Sequence, residues 1–109
     1  MDDVTRQKID SLVKDNKVVL FMKGTKNFPQ CGFSGTVAQI LATHKASYKD
    51  VNVLADPSIR EGIKEYAQWP TIPQLYLDGK FVGGCDIVRE LHTHGDLATM
   101  LRDAGAIPA

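Results

Sequence analysis

A chain of 109 residues with 43% hydrophobic and 24% charged residues has room for one domain around one core, and too little for two of ordinary size. Its 13 lysines and arginines balance 13 acids, so no basic surface for nucleic acid or an anionic membrane is indicated, and no apolar run approaches the roughly 20 residues of a membrane span. Two cysteines, Cys31 and Cys85, are too few for a disulfide scaffold, which leaves their chemistry as the point of interest.

The opening Met1-Asp2-Asp3-Val4-Thr5-Arg6 carries charge where a signal peptide needs an apolar core, which predicts a cytoplasmic protein. Val4, Ile9, Leu12 and Val13 fall on one side of a helix that ends near Asn16. Val18-Val19-Leu20-Phe21-Met22 is a continuous apolar run, as expected of a central strand buried on both faces. Gly24 to Pro29 reads as a polar loop, and from Gly32 the residues Val37, Ile40 and Leu41 resume helical spacing to about His44. Tyr48 to Val53 alternates as a second strand. Asp56-Pro57 is a helix-start signature, a capping carboxylate followed by proline at the first helical position, and Ile59, Ile63 and Tyr66 to Trp69 carry that helix onward. Trp69-Pro70 and Ile72-Pro73 break it. Gln74 to Leu77 and Lys80 to Val82 flank Asp78-Gly79, a strong hairpin signal. Asp86 opens a helix to about His92, another runs from Asp96 to Asp103, and Ala104 to Ala109 reads as a loose tail. A βαβ unit followed by a hairpin and a helix predicts a single α/β domain over residues 1–109, its four-stranded mixed sheet flanked by helices on both faces.

Cys31 falls where a strand, a loop and a helix start meet. Unpaired N–H groups and the positive end of a helix macrodipole favour thiolate over thiol, and Lys23 at the end of the preceding strand adds a cation. The alternative is a small buried cysteine with no role. Ser34 occupies the fourth place of a would-be C-x-x-C, so Cys31 has no local partner and its sulfur must react with an outside thiol or bind something soft. His44, His92 and His94 read as solvated helix residues, and the last two are not spaced for one helical face.

Cys31-Gly32-Phe33-Ser34, preceded by Phe21-Met22-Lys23-Gly24 and followed by Trp69-Pro70-Thr71-Ile72-Pro73-Gln74-Leu75 and Gly83-Gly84-Cys85-Asp86, resembles the monothiol glutaredoxins of the CGFS type. The resemblance runs from about Val4 to Asp103. It implies a thioredoxin-like fold, a glutathione site and a [2Fe–2S] cluster shared by two protomers. Such a cluster takes four thiolates; with Cys31 as the one metal ligand of each chain, two chains and two glutathiones complete the set. The implied role is iron–sulfur cluster transfer by a cluster-bridged homodimer to acceptor proteins, with BolA-like proteins as further partners. The alternative is a glutathione-dependent thiol–disulfide oxidoreductase in which Cys31 is catalytic and removes glutathione from mixed disulfides.

The resemblance also implies how glutathione is held. Lys23 and Arg60 face its glycine carboxylate. Thr71-Ile72-Pro73 matches the family's cis-proline segment, where the Ile72 main chain pairs with the glutathione cysteine, although an X-Pro bond taken at random is cis only about 5–6% of the time. Trp69 packs at the pocket's edge. Gly84 permits close backbone approach, and Cys85 and Asp86 receive the γ-glutamyl group. From the residues alone Asp86 is equally a helix N-cap. Cys85 is a buried inert thiol, a redox partner of Cys31, or the owner of a useful N–H, and the last is the reading adopted. Phe33 shields the sulfur or the cluster from water. Lys26 stands where many relatives carry proline, which predicts a looser loop before Cys31.

Overall fold

Every strand and helix expected from the sequence forms, and the differences lie at their ends. The computed structural model describes residues 1–108. Helix α1 (Asp3–Asp15) begins at Asp2, whose carboxylate accepts the Thr5 N–H at 2.8 Å. Strand β1 (Val18–Met22) is followed by α2 (Gly32–Thr43) and β2 (Lys49–Asn52). A short 3-10 turn (Val53–Ala55) takes the last residue expected of β2 and leads to α3 (Pro57–Ala67). There the Asp56 carboxylate accepts from Ser58 and Ile59 with Pro57 in the first turn, as the Asp-Pro pair predicts. The hairpin β3 (Gln74–Leu77) and β4 (Lys80–Gly83) turns at Asp78 and Gly79, both at positive φ (50° and 80°), which is what a two-residue primed turn requires. Helices α4 (Cys85–Thr93) and α5 (Asp96–Asp103) complete the order.

The sheet runs β2-β1-β3-β4, with β2 parallel to β1 and β3 antiparallel to both β1 and β4. Because β1 is central and wholly buried, its alternation divides the core in two. Val18, Leu20 and Met22 point toward Val37 and Leu41 of α2, Val88 of α4, and Leu97 and Leu101 of α5. Val19 and Phe21 point the other way, toward Ile9 and Val13 of α1, Ile59 and Ile63 of α3, and Ile72 and Tyr76. Helices therefore cover both faces, and the layers that β1 separates are the ones that carry the two sides of the site.

Three local expectations are corrected. The segment from Ala104 does not begin as a loose tail: Ala104 and Ala106 are buried, and Ser47 N–H donates to Ala106 O at 2.8 Å. Gly105, at φ +73°, lets its N–H reach Arg102 O and the Ala106 N–H reach Leu101 O, a Schellman closure of α5. Ala109, the last residue of that expected tail, lies outside the described residues. Asp86 is not the cap of α4, because the helix starts one residue earlier at Cys85 with Gly84 as its N-cap, leaving the Asp86 side chain 93% exposed. Finally, His44 and His92 are not separately solvated; they are half-buried and meet between α2 and α4.

Candidate functional site

Cys31 is the N-cap residue of α2, in an extended conformation, with no acidic residue in the turn that follows. The backbone N–H of Ser34 has the largest effect on its thiol. Together with the Phe33 N–H, the Lys23 charge and the Ser34 hydroxyl, it holds the Cys31 pKa below the ordinary thiol value, against the opposing effect of partial burial. Ser34 is fully buried and its Oγ accepts the Lys23 N–H at 3.0 Å, which leaves the hydroxyl proton free to face the sulfur. The residue that replaces a second cysteine thus joins the end of β1 to the start of α2. Cys31 is partly exposed, whereas Cys85 is buried, and no disulfide links them.

The loop between Lys23 and Cys31 is tied down rather than loosened by Lys26. Its N–H donates to Asp50 Oδ2 at 2.9 Å and its Nζ to Tyr48 O at 3.0 Å, with the ammonium 4.3 Å from the Tyr48 ring centroid. Proline at this position would supply neither donor. The Gly24 N–H donates to Asn52 Oδ1, and Gly24 pairs with Pro29 across the loop. An alanine Cβ at Gly24 would lie 2.5 Å from Phe28 O, at a φ of +93°, so this turn needs glycine. The loop and the first turn of α2 leave two large aromatics in solvent: Phe28 is 74% exposed and Phe33 61% exposed.

A groove passes beside the sulfur in two contiguous parts. The first, about 330 Å³, lies between Lys23, Cys31, Phe33, Lys64 and the Pro70–Ile72 segment. The second, about 200 Å³, shares Phe33, Thr71 and Ile72 with the first and continues past Trp69 and Pro73 to Gly84, Cys85 and Asp86. Lysines therefore stand at one end and a carboxylate at the other. The Ile72–Pro73 bond is cis, as the family resemblance implied. Among the described residues, the Ile72 main chain makes no hydrogen bond. An extended peptide can therefore pair with it as with a strand edge. Gly84 packs so closely that an added Cβ would be 3.3 Å from Pro73 O and 3.3 Å from Trp69 Nε1.

Most of the residues singled out in the sequence come together here: Lys23, Cys31, Phe33, Thr71, Ile72, Pro73, Gly84, Cys85 and Asp86 all line the groove. Arg60 lies just outside the lining. Its Nε is buried without a partner, and it occupies the α3 position one turn before Lys64. Lys64 was missed because a lysine on an amphipathic helix reads as solvated surface; its spacing of four from Arg60 is the signal that points to it. Trp69 lines the second part of the groove rather than only its edge, and its buried Nε1 has no hydrogen-bond partner. Gln74 was also missed. Wholly buried, it donates through Nε2 to Trp69 O (3.1 Å) and Thr71 O (3.2 Å) and accepts from Tyr76 OH (3.1 Å), so it fixes the turn that forms the groove floor. Cys85 Sγ lies 3.5 Å from Arg89 Nη2, and the same guanidinium is 3.9 Å from Asp86.

A sheet of this order, with a cysteine of lowered pKa at a helix start and a cis-proline turn beside it, has close matches among known proteins. The glutaredoxin family model matches residues 18–82. A probable monothiol glutaredoxin 2 of Rickettsia typhi is 53% identical over 103 residues, which is 94% of this chain and 93% of that protein. The solution structure of reduced poplar apo GrxS14 superimposes with a TM-score of 0.80 at 52% identity, covering 92% of each chain. The crystal structure of a buckwheat glutaredoxin–glutathione complex does so with a TM-score of 0.86 at 30% identity, covering 96% of this chain and 94% of that one. Fold, site geometry and sequence agree: the chain belongs to the glutaredoxin family, among its monothiol members.

Proposed function

We propose that this protein binds glutathione in the groove and, as a homodimer completed by two glutathiones, carries a [2Fe–2S] cluster to acceptor proteins. The observation that carries the reading is one accessible thiol of lowered pKa beside a groove whose charges match a tripeptide. Lys23 and Lys64, with Arg60 one turn before Lys64 on α3, suit the glycine carboxylate. The free main chain of Ile72 suits the cysteine backbone, and Asp86 with the N–H groups at the start of α4 suits the γ-glutamyl group, whose ammonium and carboxylate want an acceptor and donors in turn. The glutathione held by the buckwheat relative supports this assignment. Each chain offers Cys31 as its accessible thiol while Cys85 is buried, so a cluster needing four thiolates draws two from glutathione. Ligands supplied by a small, exchangeable molecule suit a cargo that is handed on.

The lowered Cys31 pKa also favours a second reading, thiol–disulfide exchange. Here the Cys31 thiolate attacks the glutathione sulfur of a mixed disulfide, releasing the substrate thiolate. A second glutathione thiolate then attacks the glutathione sulfur held by Cys31, giving glutathione disulfide and restoring Cys31. One experiment separates the two. The purified chain is reconstituted anaerobically with iron, sulfide and glutathione, and its visible spectrum and solution mass are read. A brown dimer that forms only with glutathione, and not in Cys31→Ser, is expected. A colourless monomer that turns over a glutathionylated peptide rapidly would replace the carrier by the enzyme.

A further inference from the structure

The histidines take no part in the groove, yet two of them meet at the far end of the helices that frame it. His44 Nε2 lies 2.9 Å from His92 Nδ1, the rings edge to face with centroids 5.0 Å apart and planes at 87°. A contact this short requires one imidazole to offer a lone pair to the N–H of the other, so two ligating nitrogens already converge on one shared proton. His44 is the C-cap of α2 and His92 lies in the last turn of α4. Both residues thus stand at the C-terminal end of a helix, the negative end of its macrodipole, which favours a cation. Burial, and then the neighbouring His92, lowers the His44 pKa.

We propose that His44 and His92 form a binding site for one divalent transition-metal ion of borderline softness, such as zinc, the ion taking the place of the shared proton and joining the C-terminal ends of α2 and α4. The ring that donated that proton carries it on its other nitrogen instead, by exchange with water, so a neutral pair binds the ion without a net change in protonation. Among the described residues no group of three or more His, Cys, Asp or Glu comes together, so water fills the other coordination positions, reached through the open side of two half-buried rings. Two imidazoles on a tetrahedral ion with bonds of about 2.0–2.1 Å stand roughly 3.3 Å apart, an opening of about 0.4 Å from the hydrogen-bonded pair. Besides that opening, each ring must tilt by about 35° so that both lone pairs converge on the ion off the line of the hydrogen bond. The site is separate from Cys31 and does not depend on the function proposed above.

The test is a zinc titration of the 109-residue Cys31→Ser chain without glutathione, which removes the competing thiol, following the imidazole C–H signals by NMR and the stoichiometry by calorimetry. One zinc per chain is expected, with the His44 and His92 signals moving together and saturating at one equivalent. His94, 4.0 Å from Glu90 on α4, is the built-in competitor, and its signal is expected to stay in place. Because the second imidazole binds at high effective concentration once the first is engaged, His44→Gln and His92→Gln should each weaken binding at least about tenfold, and His94→Gln less than about twofold. Movement of His94 alone, no binding below roughly millimolar zinc, or equal affinity in folded His44→Gln would each overturn the proposal. If a glutamine variant fails to fold, the ring signals of the unsubstituted histidines decide the matter.

Discussion

At the scale of single residues, the chemistry of Cys31 is set by neighbours that do not react. The N–H groups of Ser34 and Phe33 come from backbone left unpaired at the start of α2, and the Ser34 hydroxyl is oriented by accepting the Lys23 N–H. Since these groups stabilise the anion, the folded-state pKa lies below the unfolded thiol value. The unfolded chain then binds more protons between the two values, so this group's stabilisation is present above the unfolded pKa and is lost as pH falls through the folded one. Ser34→Ala removes the hydroxyl and also leaves the Lys23 N–H without its acceptor. Two consequences are expected together. The pH midpoint of Cys31 alkylation by iodoacetamide moves upward toward that of a free thiol, and chemical denaturation shows a loss of about 1–3 kcal/mol for the unsatisfied donor. An unchanged alkylation midpoint would mean that the hydroxyl has no part in stabilising the thiolate.

At the scale of elements, the groove is built on a turn, and the turn depends on a strand residue facing inward. The carbonyls of Trp69 and Thr71 lie between α3 and β3, where neither helix nor ladder supplies them with donors. The Gln74 amide does so from the first position of β3, while Tyr76 OH completes its acceptor side. Gln74→Glu preserves shape and removes both donors, setting carboxylate oxygens against two carbonyl oxygens in a site with no exposure. A loss of about 3 kcal/mol is expected by denaturation, with glutathione affinity falling along with it even though residue 74 does not line the groove. Stability falling while affinity is retained would show that the turn keeps the groove's shape without Gln74. The same reasoning explains what the sequence revealed at this scale. The strands, the Asp56-Pro57 start and the Asp78-Gly79 hairpin are local signals and were legible. The Lys26 clamp reaches Tyr48 and Asp50, and Lys64 lines the groove with Lys23 and Cys31, all distant in sequence, whereas Gln74 bonds carbonyls three and five residues back whose need of a donor shows only once the turn has formed; residue type alone therefore marked the three as an ordinary strand polar residue and two surface lysines.

At the scale of the whole molecule, β1 separates two cores, and each carries one side of the groove. The layer of α2 and α4 brings Cys31, Cys85 and Asp86; the layer of α1 and α3 brings Lys64 and the Ile72 turn. The division was readable from five consecutive apolar residues. What closes the first layer was not, because Ala104-Gly105-Ala106-Ile107 has the composition of a tail. In the fold, Gly105 at positive φ turns the chain back, Ala106 enters the core beside Leu101, Ile107 packs against that core, and Ala106 O takes the N–H of Ser47 in the connection from α2 to β2. A chain ending at Asp103 would lose the two Schellman bonds, the bond to Ser47 and the burial of Ala104, Ala106 and part of Ile107. Hydrogen bonds at about 1 kcal/mol each, together with burial at about 0.8 kcal/mol per methylene, are offset by the entropy regained by a few unfolded residues. A net loss of roughly 2–3 kcal/mol follows, a large share of the stability of a domain this size. Denaturant unfolding measures it, and amide hydrogen exchange locates it: faster exchange is expected first at Ser47 and in α5, on the Cys31 side of β1, while α1 and α3 retain their protection. Loss of protection first in α1 would show that the two layers do not yield separately, and that β1 couples them more tightly than its divided packing indicates.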